Sequence, residues 1–372
     1  MHNNEAMQKE ILITLHETPG IGWQTIRKAV QFGAWHSYER FTPEAWISSV
    51  GLRPEQAQSL KEAFNRQNIE HRNKRMEELG ITVITPFDKE YPELLKQSAQ
   101  HPWVLYTIGQ IELLHRPCVA IVGTRVPTAY GRRTASDLGE QLSANGLTVV
   151  SGLARGIDGT AHEGALRGRG STIAVLGTPV DTVYPKEHRA LYQEIVKRGL
   201  IVSEYPLGTP FHPGLFPQRN RIIAGLSLGT VVVEAAQRSG SLITADQALE
   251  MSRDVFAVPG QISSPKSTGT NDLIRQGAKL ISSVQDILEE YSNLLPKKTE
   301  NSNKIMKTLS SEEAIMTKDE AIIYEFLQDA PRSTDELHEL SAFPFGLLHA
   351  VLINLTIKRK IEQHPGSIYS VT

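Results

Sequence analysis

From residue 117 onward the chain alternates continuous apolar runs with amphipathic stretches, and few folds satisfy that pattern. The runs are CVAIVG (118–123), LTVVSG (147–152), STIAVLG (171–177), LIVSEY (200–205), GTVVVEA (229–235) and DVFAVPG (254–260). They lack a strict polar–apolar alternation, so each predicts a strand buried on both faces. Helices are expected between them, near 129–145, 157–168, 187–198, 219–227 and 241–252. Strand–helix repetition of this kind predicts an α/β, doubly wound, mainly parallel sheet.

The flanks read differently. Residues 1–80 predict an all-helical unit with turns at Pro19-Gly20, Gly33 and Pro54, and with Leu12, Leu15, Ile26 and Val30 at helical spacing. Inside it, TPGIGWQTIRKAV sets a Gly-Ile-Gly turn between two helices, similar to a helix-hairpin-helix. Its backbone N–H groups suit a phosphate oxygen, and it serves equally as a tight connection with no ligand. The α/β unit is expected over 81–291, opening with the short strands ITVIT and WVLYTIG. Residues 292–317 are polar and read as a flexible linker. Residues 318–372 give three helices (319–328, 333–341, 345–358) and a hairpin about His364-Pro365-Gly366, the order of a winged helix.

Composition removes several function classes. A single cysteine, Cys118, excludes an internal disulfide and a thiolate metal cluster, and fits a reducing, cytoplasmic setting. The N-terminal MHNNEAMQKE lacks a signal-peptide pattern. No run approaches the ~20 apolar residues that span a bilayer, so no membrane role is expected. The net charge of −2 gives no bulk attraction for nucleic acid. Local patches do better. Residues 113–136 hold Arg116, Arg125, Arg132 and Arg133 without an acid, and 205–233 hold Arg219 and Arg221 without one.

Ligands of an open parallel sheet sit at the carboxyl ends of its strands. Those ends here read Gly123-Thr124-Arg125, Ser151-Gly152-Leu153, Gly177-Thr178-Pro179 and Ser203-Glu204-Tyr205, followed by Phe216-Pro217-Gln218-Arg219-Asn220-Arg221 and by Ser239-Gly240-Ser241 before a helix. Glycine allows close approach of a ligand, hydroxyls and helix-start N–H groups hold phosphate, and arginine pairs with it bidentately. Several anion positions suit a polymer of phosphates better than one nucleotide. Phe216 offers a face to a base or anchors its loop. Arg219 and Arg221 reach phosphate or pair with Glu204 or Glu234. Those two glutamates end adjacent strands and are also a candidate catalytic pair. Asp158 and His162, four apart on one helix, read as half a metal site or as helix-start hydrogen bonds. No Gly-x-x-x-x-Gly-Lys-Ser/Thr loop and no strand-following Gly-x-Gly-x-x-Gly is present, which argues against a P-loop ATPase and against dinucleotide binding.

Eight ordered blocks then carry a resemblance: IVGTR, SGLARGIDGTAHEGAL, GSTIAVLG with VDTVYP, SEYPLG, FPQRNRIIAGLS, VVVEAAQRSGSLITADQALE, VFAVPG and GTNDLIRQGAKL. Over about residues 80–290 the chain resembles the DprA (Smf) family of DNA-processing proteins. The resemblance implies an extended Rossmann-like core between a sterile-alpha-motif-like N-terminal domain and a C-terminal winged helix. It implies a dimeric, non-catalytic, cofactor-free and metal-free protein of natural transformation. Such a protein binds incoming single-stranded DNA, protects it, and loads the RecA recombinase while helping to displace single-strand-binding protein. The residues that carry over are Gly123, Thr124, Arg125, Ser151, Gly152, Phe216, Arg219, Asn220 and Arg221, the last four expected in a long loop. Lys186 is placed where a basic residue joins the rim, and Ser239 and Gly240 complete the set. The dimer and RecA contact is expected over about 270–281, with Leu273, Ile274 and Leu280 as its apolar residues. Two departures stand out: Pro179 replaces a usual glycine, and Pro213 stands where some relatives have a basic residue.

Two other readings stay open. One is a nucleotide-processing hydrolase of the phosphoribohydrolase kind, although its Pro-Gly-Gly-x-Gly-Thr loop is replaced here by EAAQRSGSLITA. The other is a sequence-specific regulator acting through the winged helix, whose presumed recognition helix FGLLHAVLINLTIK carries only Lys358 as a charged group.

Overall fold

The computed structural model describes residues 2–33, 42–169, 171–294, 316–358, 360–364 and 366–371. Its contacts divide into two units, one within residues 1–295 and one within 296–372. Most of the expected linker, 295–315, lies outside the described residues.

The first unit is organised by a nine-stranded sheet. Its strands are β1 (Thr82–Ile84), β2 (Leu105–Gly109), β3 (Cys118–Val122), β4 (Thr148–Ser151), β5 (Thr172–Val175), β6 (Leu200–Ser203), β7 (Gly229–Val232), β8 (Asp254–Ala257) and β9 (Lys279–Leu280), in the order β1-β2-β6-β5-β4-β3-β7-β8-β9. Strands β6 to β9 and β3 to β5 all run parallel. The two short leading strands add to the β6 edge in antiparallel sense. Every residue of β3 to β7 is buried, as continuous apolar runs require.

The two faces follow the period of two. Val119, Ile121 and Val149 pack with Ala135, Leu138, Ile157 and Ala161 of α7 (Ala129–Ala144) and α8 (Ile157–Arg167). Ala120, Val122 and Val150 pack instead with Ile222, Ile223, Ala245 and Ala248 of α10 (Leu215–Leu226) and α11 (Gly240–Glu250). Between these helix pairs α9 (Arg189–Arg198) covers β5 and β6. Full burial of each of the valines, leucines and isoleucines among them stabilises by ~1.5–3 kcal/mol.

The N-terminal helices α1 (His2–Glu17) to α5 (Arg66–Glu78) belong to the same unit. Ile11, Leu12, Leu15 and Ile26 share one apolar cluster with Trp103, Tyr106, Leu176 and Ile201 of the sheet and its loops. Polar contacts add direction: Trp23 Nε1 donates to the His101 carbonyl at 2.7 Å, and the Tyr106 hydroxyl to Glu17 at 2.7 Å. The Gly-Ile-Gly turn does join two helices, α1 and α2 (Trp23–Gln31).

The second unit is the winged helix. Helices Lys318–Asp329, Thr334–Ser341 and Phe345–Ile357 precede the hairpin Ile361–His364/Ile368–Val371. The short strand Arg332–Ser333, which periodicity did not signal, pairs with the second hairpin strand and makes it the middle of three. Thr317 with Glu320 and Ser333 with Glu336 form capping boxes at the first two helices. No single described helix is long and apolar enough to cross a membrane.

One difference reshapes the site. Sequence reasoning placed Phe216 to Arg221 in a loop before a helix at 219–227, yet α10 begins at Leu215. Pro217 lies in the first turn, where a missing N–H costs nothing.

Candidate nucleic-acid interface

The site is built on the carboxyl ends of β3, β4 and β7 and the amino ends of α10 and α11. Helical geometry sorts the residues of α10. At 100° per residue, Phe216, Arg219, Asn220 and Ile223 share one face and line a cleft of about 350 Å³. Gln218 and Arg221 face elsewhere, onto a groove bordered by His16, Trp23 and Glu204.

The floor of the cleft is set by α8. Asp158 accepts the backbone N–H of Gly152 at 3.1 Å, and His162 Nε2 accepts that of Leu153 at 3.3 Å. The i, i+4 pair is thus a clamp on the turn after β4, where Leu153 has a left-handed φ of 54°. Thr172 Oγ1 donates to the Val149 carbonyl, so it accepts from His162 Nδ1–H, which fixes the neutral tautomer. Burial pushes the His162 pKa down to about 3. This is the structural role of the pair rather than half a metal site, and among the described residues no group of three His, Cys, Asp or Glu is placed to hold an ion.

Arg219 lies under the cleft. It is 4% exposed, and its Nη1 donates to the carbonyls of Gly152, at 2.7 Å, and of Val175. Burial lowers its pKa to about 10, against the pull of the Asp158 carboxylate. Burial likewise raises the Asp158 pKa, opposed first by Arg219. A Cβ on Gly152 would lie 2.5 Å from Arg219 Nη2 and 2.6 Å from Asp158 Oδ2, so only glycine fits there. Arg219 thus supports the floor of the cleft through Nη1, where a free rim cation was expected.

The rim is different. Arg125 is exposed and, among the described residues, forms no ion pair and no side-chain hydrogen bond. It lines the cleft with Gly123, Thr124 and the start of α11, where Ser239 caps the helix and Ser239, Gly240, Ser241 and Thr244 border the opening. A helix amino end beside a free arginine attracts an anion. Asn220 Nδ2 reaches the Gly240 carbonyl at 3.4 Å and ties the two helices together. Phe216 lies half-buried against Gly177, where a Cβ would come within 2.7 Å of the ring, and it borders the cleft beside Arg125.

Arg125, Phe216 and Arg219 are thus brought together, with Gly123, Thr124, Asn220, Ser239 and Gly240. Other expected members are not. Ser151 is fully buried and donates to the Ile121 carbonyl at 2.6 Å. Arg221 Nη2 holds both oxygens of Glu204 at 2.6 Å. Gly152 is buried and borders a small adjoining pocket with Arg155 and Tyr184. Lys186 is exposed but outside the cleft lining. Glu234 accepts from the Thr128 N–H at 2.9 Å and from its hydroxyl, Glu204 is taken by Arg221, and the strands they follow, β6 and β7, are not the neighbours expected, so the two glutamates form no catalytic pair. Pro179 is buried and lines no part of the cleft.

In the expected partner segment, Leu273 is largely buried and packs into the core. Ile274 is half-buried, and Leu280, on the edge strand β9, is 47% exposed. Sequence reasoning gave no role to Thr244, Tyr184 or Phe211. The only signal for the two aromatics was an aromatic residue beside proline in VYPKEH and TPFHPG.

Comparison with known proteins places this geometry. Residues 82–292 match DNA recombination-mediator protein A, and residues 308–367 match the DprA winged helix domain. The chain is 40% identical to protein Smf of Escherichia coli over 277 residues, 73% of this chain and 74% of that one. It is 44% identical to the DNA processing protein DprA of Bacillus subtilis over 214 residues, 57% of this chain and 72% of that one. Among solved structures, DNA processing protein A of Streptococcus pneumoniae superposes with a TM-score of 0.68 at 36% identity, covering 76% of this chain and 97% of that one. DNA processing protein A of Helicobacter pylori, described for its single-stranded DNA binding mode, gives 0.53 at 32% identity over 58% of this chain and 97% of that one. With the family match spanning more than half of the chain and a relative 40% identical over about three quarters of both chains, the chain belongs to the DNA recombination-mediator protein A family, the DprA/Smf proteins.

Proposed function

We propose that the cleft holds single-stranded DNA through its sugar-phosphate chain, without breaking a bond, and that the protein hands this strand to the RecA recombinase. Arg125 carries the reading: an exposed cation, unpaired among the described residues, that lines the cleft together with the amino end of α11. Phosphate meets Arg125, Thr124 and the Ser239–Ser241 N–H groups. A base meets the half-buried Phe216 ring, which a paired duplex cannot offer without unstacking. The Helicobacter pylori relative's single-stranded DNA binding supports the substrate class. In this reading the protein protects incoming strands in natural transformation, helps displace single-strand-binding protein, and works as a homodimer. The edge around β9, with Leu280 and Ile274 exposed or partly so, serves the second copy or RecA.

The test is fluorescence anisotropy with labelled single- and double-stranded oligonucleotides over a salt series. Tighter single-strand binding that weakens with salt, and that weakens further in Arg125→Ala, is expected. Equal affinity of Arg125→Ala and the native protein would refute the cleft.

A further inference from the structure

Three aromatic rings meet beside the cleft. The Tyr184 ring centroid lies 5.1 Å from those of Phe211 and Phe216, which are 5.7 Å from each other. Phe216 is the inner ring and lines the cleft. Tyr184 borders the adjoining pocket with Arg125 and Arg155. Phe211 is 56% exposed and Tyr184 40%. Such rings left in water forgo burial that would stabilise the fold, and a cluster of them is a place where another flat apolar surface docks. The charges around them narrow the choice. Arg125 is unpaired, and so, among the described residues, is exposed Lys186, two positions after Tyr184. Arg155 is matched by Glu187, whose pKa its hydrogen bond holds down at about 2. Apolar rings interleaved with free cations complement a chain of bases interleaved with phosphates.

We propose that Tyr184 and Phe211 form a second stacking position, which takes the nucleobase next to the one on Phe216, with Lys186 facing the neighbouring phosphate. This rests on the cleft reading above. The rings are tilted by 44° to 60° to one another, so bases held on them are splayed apart. That geometry admits an unpaired strand and rejects a stacked duplex.

The experiment measures anisotropy of labelled oligo-dT and of the same oligonucleotide with one abasic position moved stepwise along it. The variants are Phe211→Ala, Tyr184→Leu (which keeps an apolar contact for Phe216), Phe216→Ala and Arg125→Ala. Phe211→Ala and Tyr184→Leu are each expected to weaken oligo-dT binding by about five- to fifty-fold. The loss vanishes when the abasic position sits next to the one that cancels Phe216→Ala. Thermal midpoints equal to the native protein's identify correctly folded variants. Binding that depends on Arg125 but on neither outer ring overturns the stacking position alone and leaves the rings to a protein partner. Losses of equal size at every abasic position also overturn it. Native protein that ignores the oligonucleotide, or Arg125→Ala that binds like it, overturns the cleft reading itself.

Discussion

In the cleft above the parallel sheet, the cation at the rim stands exposed with no ion-pair partner among the described residues. In the winged-helix unit, the one lysine at the end of the third helix is tied at 2.6 Å to Glu320, itself only 2% exposed. That helix, in the position that reads a groove in DNA-binding winged helices, instead exposes Phe345, Leu347 and Ile353. Two folds with a history of holding nucleic acid therefore differ in what they offer. One keeps an arginine available at its cleft, and the other ties the lysine of its third helix to a buried glutamate and shows apolar side chains along that helix. The difference teaches that fold alone does not assign the DNA site. In the reading proposed above, the exposed arginine does.

The comparison can be broken most forcefully beneath the cleft. Arg219→Ala leaves Asp158 buried without its counter-charge and two carbonyls without a donor, and is expected to cost on the order of 3–5 kcal/mol in denaturant unfolding of the core unit. Arg219→Lys is not expected to restore it, since a point-charge ammonium lacks the planar guanidinium whose second arm lies against Gly152. A stability loss below 1 kcal/mol would show that Arg219 is not the cleft's support.

A pH series sharpens the same region. An unfolded histidine titrates near 6.5, whereas burial holds folded His162 at about 3. Between those values the unfolded chain binds a proton that the folded chain refuses, so stability falls as pH drops, by on the order of a few kcal/mol at pH 3. Urea midpoints of the native protein and His162→Gln, measured at pH 7 and pH 4.5, are expected to converge on acidification. Parallel pH profiles would remove His162 as the origin of the slope.

At the rim the effect passes from stability to binding. Arg125→Ala is expected to lose about 1.5–3 kcal/mol of single-strand affinity with an unchanged thermal midpoint. In the other unit, Lys358→Met is expected to cost the winged helix about 1 kcal/mol and to leave single-strand affinity as it was. If Lys358→Met weakens binding more than Arg125→Ala does, the contrast between the two regions is reversed.

The strands, their parallel sense and the winged-helix order were legible because burial on both faces and helical spacing leave periodic marks in the chain. The rim loops were legible as chemistry, and Gly123, Thr124, Arg125, Phe216, Ser239 and Gly240 do come together. The three arginines were not separable. Arg125, Arg219 and Arg221 look alike in an acid-free sequence, but α10 starts four residues earlier than periodicity suggested. That start turns Arg219 to the floor, where carbonyls take it, and Arg221 to Glu204. The Asp158–His162 pair was visible as a spacing and unreadable as a clamp, because its partners are backbone N–H groups that every sequence has.

The layered α/β core, the winged helix and a loop rim rich in glycine, hydroxyl and arginine side chains were all written in the chain itself. These depend on hydrophobic period and residue type, which are local properties of the chain. The tertiary structure alone decided which cation stays free, which is buried as a support, and that Tyr184 and Phe211 join Phe216. Those outcomes depend on which side of a helix a residue falls and which distant carbonyl, carboxylate or ring it meets there, and linear spacing carries no record of such meetings.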